Sequence, residues 1–365
     1  LKTLARAHPK AELAARGRIA IMTGGPDSPG MNAILRTALR MARNEGQDVI
    51  GIRYGLGGLA RGDVWDLSWM DVQNWINLGG SELGAIRHEL DDEEIKAIAE
   101  QIRRWDIRGI IAVGGLQTYC QIQKLADVRD TYPELCIPMI CVPATIGNNL
   151  PATEVTVGAD TALNNIVDAV DKIKYTAGAA HRAFLVEVMG RESGYLALAS
   201  SLATGAEMQL LNEDGIDLRV LQKDIEQLRE GFASGKKLGI VIIAEDASPY
   251  YDTEFVRRIM VAEAHGQFDV REAILGHLQR GGVPTAFDRV QGSRLGAHAA
   301  RKIMEDVAAG RDEVNVIGVW RRGVEFTPLA EAMAQMDWEH DRPKVQPWLS
   351  WRPVSVVLAK PHAGA

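Results

Sequence analysis

Short apolar runs rich in β-branched residues recur along the chain, each followed by a turn and then by an amphipathic stretch. Runs at Arg18–Met22, Asp48–Tyr54, Gly109–Val113, Ile137–Val142, Ala183–Met189 and Leu238–Ala244 are apolar on both faces, which predicts strands buried on both sides. Helical periodicity lies between them, for example over Asp91–Trp105, Ala159–Lys174 and Leu218–Ala233. Alternation of this kind predicts an α/β protein with mainly parallel sheets flanked by helices. In such sheets ligands gather beyond the carboxyl ends of the strands. The turns found there are Gly24–Asn32, Gly114–Thr118, Pro143–Asn149 and Val188–Arg191.

At 365 residues the chain exceeds one compact core, and two Rossmann-like lobes are expected. The first would hold residues 18–151 and receive a returning segment near 271–309. The second would hold 152–270, and 310–365 would form a C-terminal cap containing Trp338, Trp348 and Trp351. A net charge of −7 argues against nucleic acid and against a basic membrane surface. No apolar run approaches the roughly 20 residues of a membrane-spanning helix. Cys120, Cys136 and Cys141 form no CxxC pair and read as reduced cytoplasmic thiols, not as metal ligands or a disulfide.

The turns also carry a resemblance. Asp27–Asn32 (DSPGMN), Val188–Arg191 (VMGR) and Leu275–Gly282 (LGHLQRGG), followed by Asp288-Arg289, resemble the phosphofructokinase family in order over about residues 18–304. The likeness is sharpest to the C-terminal, regulatory half of eukaryotic-type enzymes built from two fused halves. It rests on Gly58–Gly62, Pro143–Asn149 (PATIGNN) and Tyr251–Phe255 (YDTEF). Residues 1–17, helix-prone and basic, would then match the linker between halves, and the chain opens on Leu1 instead of Met.

The resemblance implies a kinase of glycolysis that phosphorylates fructose 6-phosphate with ATP and magnesium. It also shows what is missing. Active members read T-I-D-N-D where this chain reads Thr145–Asn149 (TIGNN), so the base position is Gly147 and its neighbour is the amide of Asn149. They read G-G-D-G-S where this chain has Gly114–Thr118, so the magnesium-site Asp is Leu116. They carry two glycines before Asp27, where this chain has Gly25-Pro26. A glycine cannot take a proton, leucine offers no oxygen to a hard cation, and proline offers no N–H to a phosphate. No metal ligands are therefore assigned, no cofactor is expected, and Gly25, Gly115 and Thr118 are read as a vestigial nucleotide cradle.

The sugar-phosphate side is retained. By resemblance Arg182 and Arg271 hold the 6-phosphate, reaching across from a neighbouring subunit, with His277 and Arg280 completing that end. Met189, Gly190, Arg191 and Glu245 line the sugar ring, and Thr145 and Arg87 face its other end. The pocket is expected in the cleft between the lobes, and Asn32 is a further candidate. Physically, arginines at strand ends suit a dianionic phosphate through charge-assisted pairs. Taken singly, each arginine also reads as a solvated surface charge, His277 as a structural histidine and Met189 as core. Expected partners are fructose 6-phosphate or a fructose bisphosphate, a catalytic half or an active paralogue, and further copies of the chain in a dimer or tetramer. Three functions compete: an allosteric effector-binding half, a free-standing pseudoenzyme subunit, and an active kinase with a relocated base, for which Asp27 and Asp160 are the candidates.

Overall fold

The computed structural model describes residues 17–321 and 323–359, which form two compact units. The expected linker over 1–17 lies outside the described residues except for Gly17.

The first unit (1–145, 150–158 and 281–336) is built on a seven-stranded sheet. Its strands are β1 (Arg18–Gly24), β2 (Asp48–Ile52), β3 (Val64–Asp66), β4 (Ile107–Gly114), β5 (Met139–Pro143), β10 (Val314–Trp320) and β11 (Gly323–Pro328). The order is β11-β10-β5-β4-β1-β2-β3, with the two edge strands antiparallel and the inner pairs parallel. Successive residues of β1 feed opposite faces: Ile19 and Ile21 enter one apolar cluster, Ala20 and Met22 the other. That is the period of two that a strand imposes, and it explains why these runs are apolar on both faces. On one face the helices Met31–Asn44 and Ala286–Ala308 cross closely. A Cβ on Gly296 would meet the Ile34 carbonyl oxygen at 2.5 Å, so glycine sets this approach.

The second unit (146–149, 159–280 and 337–365) carries a four-stranded, all-parallel sheet. Its strands are β6 (Arg182–Val188), β7 (Met208–Leu210), β8 (Leu238–Ala244) and β9 (Asp269–Ile274), in the order β7-β8-β6-β9. The helix Leu218–Ala233 begins where Asp217 accepts from the N–H groups of Arg219 and Val220, an N-cap that fixes its start.

The fold class is the one expected, but the lobe boundaries differ. The returning segment does not begin at residue 271, because β9 pairs with β6 in the second sheet; the chain re-enters the first unit at Gly281. Residues 152–158 belong to the first unit, where Val157 bridges Ala144. The expected cap over 310–365 is not one body. β10 and β11 complete the first sheet, whereas 337–365 joins the second unit, where Trp348 packs edge-on against Tyr195.

Candidate functional site

In the second unit three turns meet at the carboxyl ends of β6, β8 and β9. Met189, Gly190 and Arg191 follow β6, Glu245 follows β8, and the 3-10 turn Gly276–Gln279 and Arg280 follow β9. Buried Gln279 ties two of these together. Its Oε1 accepts from the Met189 N–H at 2.9 Å and its Nε2 donates to the Gly276 carbonyl at 3.0 Å. Gly190 has φ 141, and a Cβ there would lie 2.3 Å from the Ser193 carbonyl oxygen, so only glycine fits. Arg191 Nη2 donates to Glu245 Oε1 at 3.0 Å, and its Nε lies 3.1 Å from Asp246 Oδ2. These carboxylates, Glu245 foremost, push the guanidinium pKa further up.

Asn212 and Glu213 support the same turns. Asn212 Nδ2 donates to the carbonyls of Arg191 and Glu245 at 2.8 and 2.9 Å, while its Oδ1 is buried without a partner. Glu213 accepts from the Gly194 N–H at 3.1 Å and lies 3.5 Å from Arg342. His277 is exposed and Arg280 half-buried beside it, its N–H donating to the His277 carbonyl at 3.0 Å.

Arg182 and Arg271 stand apart from this group. Arg182 is the first residue of β6 and pairs in register with Asp269, the first of β9. Their Nε atoms lie 3.3 and 2.9 Å from the same Asp269 Oδ2. At about 3.3 Å per residue, Arg182 is about 20 Å along β6 from Val188. Within one chain Arg182 therefore lies at the opposite end of the sheet from His277 and Arg280, and Arg271, the third residue of β9 in register with Phe184, turns its Nε to Asp269 at that end.

The first-unit residues form their own group. The β1 and β4 turns press together: a Cβ on Gly114 would lie 2.2 Å from Thr118 Oγ1 and 2.6 Å from the Gly24 carbonyl oxygen. Gly25 has φ 69, and a Cβ there would sit 3.7 Å from Thr118 Oγ1 and 3.9 Å from Gln117 Oε1. Both of those oxygens are buried without a hydrogen-bond partner. Gly115, the N-cap of the helix Leu116–Asp127, lies against Thr145, and Leu116 opens that helix half-buried. Pro26 is half-buried and Arg87 exposed.

Two residues have structural roles. Asn32, a sugar-site candidate, is buried and clamps the segment 78–82, donating to the carbonyls of Leu78, Gly79 and Gly80 and accepting from the Glu82 N–H at 2.8 Å. Asp288, from the motif near the end of the match, is buried and accepts from the Gly158 N–H at 2.8 Å.

At Gly147, the position the resemblance aligns with the family's base, a Cβ would meet only Asn149, at 3.5 Å, an ordinary contact. Asn149 Nδ2 donates to the Asp341 carbonyl at 3.2 Å. Of the two candidate replacement bases, Asp27 Oδ2 lies 3.6 Å from where a Cβ on Gly80 would sit, and Asp160 accepts from Asn164 at 3.3 Å.

Residues 18–303 match the family model described as phosphofructokinase. The chain belongs to the phosphofructokinase family. It is 38% identical over 352 residues to the platelet-type ATP-dependent 6-phosphofructokinase of Pongo abelii, covering 94% of this chain and 45% of the relative. It is 41% identical over 343 residues to the ATP-dependent 6-phosphofructokinase of Dictyostelium discoideum, covering 93% and 41%. Among solved structures, phosphofructokinase from Saccharomyces cerevisiae superposes with a TM-score of 0.90 at 34% identity, covering 94% of this chain and 47% of that one. The chain thus spans a little under half the length of these phosphofructokinases. Among the described residues no helix is long and apolar enough to cross a membrane.

Gln279, Asn212, Glu213 and Gln117 escaped the sequence reading. Gln279 lay inside the quoted LGHLQRGG motif, so its position was a usable signal. Gln117 likewise lay inside the quoted Gly114–Thr118 turn, whereas Asn212 and Glu213 have no signal short of the fold, because each acts on backbone far away in sequence.

Proposed function

We propose that this chain is a phosphofructokinase half that binds a fructose phosphate or bisphosphate as an effector and does not transfer phosphoryl groups. The observation that carries the reading is an asymmetry. The turns after β6, β8 and β9 keep a cation, a carboxylate and braced backbone for a sugar phosphate. The phosphoryl-transfer positions keep none of the required chemistry. Leu116 gives a magnesium ion no oxygen, and Asp27 is the one carboxylate in the turns 24–28 and 114–118. The donor set does not fit the metal, so no step is assigned to it. Gly147 supplies no general base, whose presence is worth roughly 10²–10⁴-fold in rate.

Arg182 and Arg271, at the other end of the sheet, suit a phosphate presented by a second copy of the chain, the arrangement the family resemblance implies. The active-kinase alternative is weakened at Asp160, whose carboxylate is already engaged by Asn164.

A coupled assay with fructose 6-phosphate, ATP and magnesium tests the proposal. The account predicts no turnover above background. Turnover in the ordinary kinase range of about 1–100 s⁻¹ would overturn it.

A further inference from the structure

Within the second unit, residues 337–351 are bonded to two turns far from them in sequence. Asp337 closes the start of this stretch: its Oδ1 accepts from the Glu339 N–H at 3.1 Å and its Oδ2 bonds the His340 ring at 2.8 Å. Asp341 follows with φ 50, in the left-handed region, and its carbonyl accepts from Asn149 Nδ2 at 3.2 Å. Its neighbour Arg342 reaches the other turn. Arg342 Nη1 donates to the Glu192 carbonyl at 3.4 Å and lies 3.5 Å from Glu213 Oε1, and Glu213 accepts from the Gly194 N–H. Further along, the rings of Trp348 and Trp351 lie 5.8 and 6.2 Å from that of Tyr195. The ladder of β6 ends at Val188, and Gly194, the N-cap of the helix Tyr195–Thr204, brings no side-chain cap. The turn 190–194 therefore depends on bonds from outside it.

We propose that residues 337–351 form a strap that sets the order of the turn 190–194, and that the neighbours Asp341 and Arg342 join this turn to the one at 146–149. Consecutive residues sit about 3.8 Å apart across a planar peptide, so Asp341 and Arg342 move together. A displacement at Asn149 shifts Asp341, and with it the arginine that holds Glu192 and Glu213. A turn without ladder bonds of its own opens more readily than the sheet it follows, and the strap supplies the difference. The strap acts on the order of the turn whatever the turn binds.

Amide hydrogen exchange read by mass spectrometry on the full chain, with no ligand added, tests the strap. Asn149→Ala removes the bond to the Asp341 carbonyl, Arg342→Gln removes the charge while keeping much of the side chain, and a double variant combines them. Each single variant should speed exchange in the peptide covering 190–194 about fivefold, the size of one lost hydrogen bond. The buried strand Leu238–Ala244 should exchange as in the wild type. The double variant should exchange no faster at 190–194 than Arg342→Gln alone, because both losses act through one strap. An unchanged 190–194 peptide in Asn149→Ala, or additive acceleration in the double variant, would overturn the link between the turns. Equal acceleration of 190–194 and Leu238–Ala244 would show a general loosening of the unit and would overturn the strap itself.

Discussion

Arg191 and Glu245, the two charged residues expected at the sugar ring, are bonded to each other at 3.0 Å. The pair is open to solvent: the arginine side chain is 59% exposed. An exposed ion pair contributes little to stability, about 0.2–1 kcal/mol. On the proposed reading the pair holds two polar groups ready for hydroxyls. Glu245→Gln should leave the thermal midpoint nearly unchanged while weakening sugar-phosphate binding severalfold. A large fall in the midpoint with unchanged binding would show the pair to be structural.

Arg182 and Arg271 share the Asp269 carboxylate. A phosphate dianion recruited by them competes with that carboxylate. Arg271→Ala should weaken sugar-phosphate binding about tenfold or more, the loss of one charge-assisted contact of about 1.5–3 kcal/mol. Asp269→Asn, which frees both arginines, should strengthen it. Titration of the two variants checks the pair of signs, and weakening by Asp269→Asn would place the phosphate elsewhere.

Space is available for a carboxylate at position 147. The nearest atoms to a Cβ at position 147 are those of Asn149, at 3.5 and 3.8 Å. Gly147→Asp should fold normally and still fail in the coupled kinase assay, because Leu116 and Pro26 are unchanged. Rescue to ordinary turnover would mean that these two positions matter less than the base.

Glu213 is the main brace of the turn after β6. Its side chain is 6% exposed, accepts from the Gly194 N–H and pairs with Arg342 at 3.5 Å. Glu213→Ala leaves the Gly194 N–H without its acceptor and the half-buried Arg342 guanidinium without this carboxylate, and should cost about 1–3 kcal/mol. A denaturant midpoint that does not move would contradict this role.

Strands buried on both faces were legible because their composition alone marks them. Leu238–Ala244 and the helix Leu218–Ala233 were located to the residue, the helix on its periodicity alone. β9 was missed because it is an edge strand with four of its six residues exposed, so Asp269–Ile274 shows no apolar run. Missing β9 moved the lobe boundary to residue 271 and hid the separation of Arg182 and Arg271 from the other ligand residues. β10 and β11 were read as a cap because only pairing with β5, far away in sequence, reveals their sheet. The turns after β6 and β8 were legible because Met189–Arg191 and Glu245 follow recognisable strands. The clamp role of Asn32 and the bond from Gln117 to the His88 carbonyl were not legible, because their partners are backbone carbonyls that sequence does not mark.

The most direct test is a calorimetric titration of the purified chain with fructose 6-phosphate and with fructose 2,6-bisphosphate, without nucleotide. The account predicts micromolar binding of at least one, about −8 kcal/mol, that is weakened about tenfold or more in Arg271→Ala. A folded chain that binds neither sugar phosphate would contradict it.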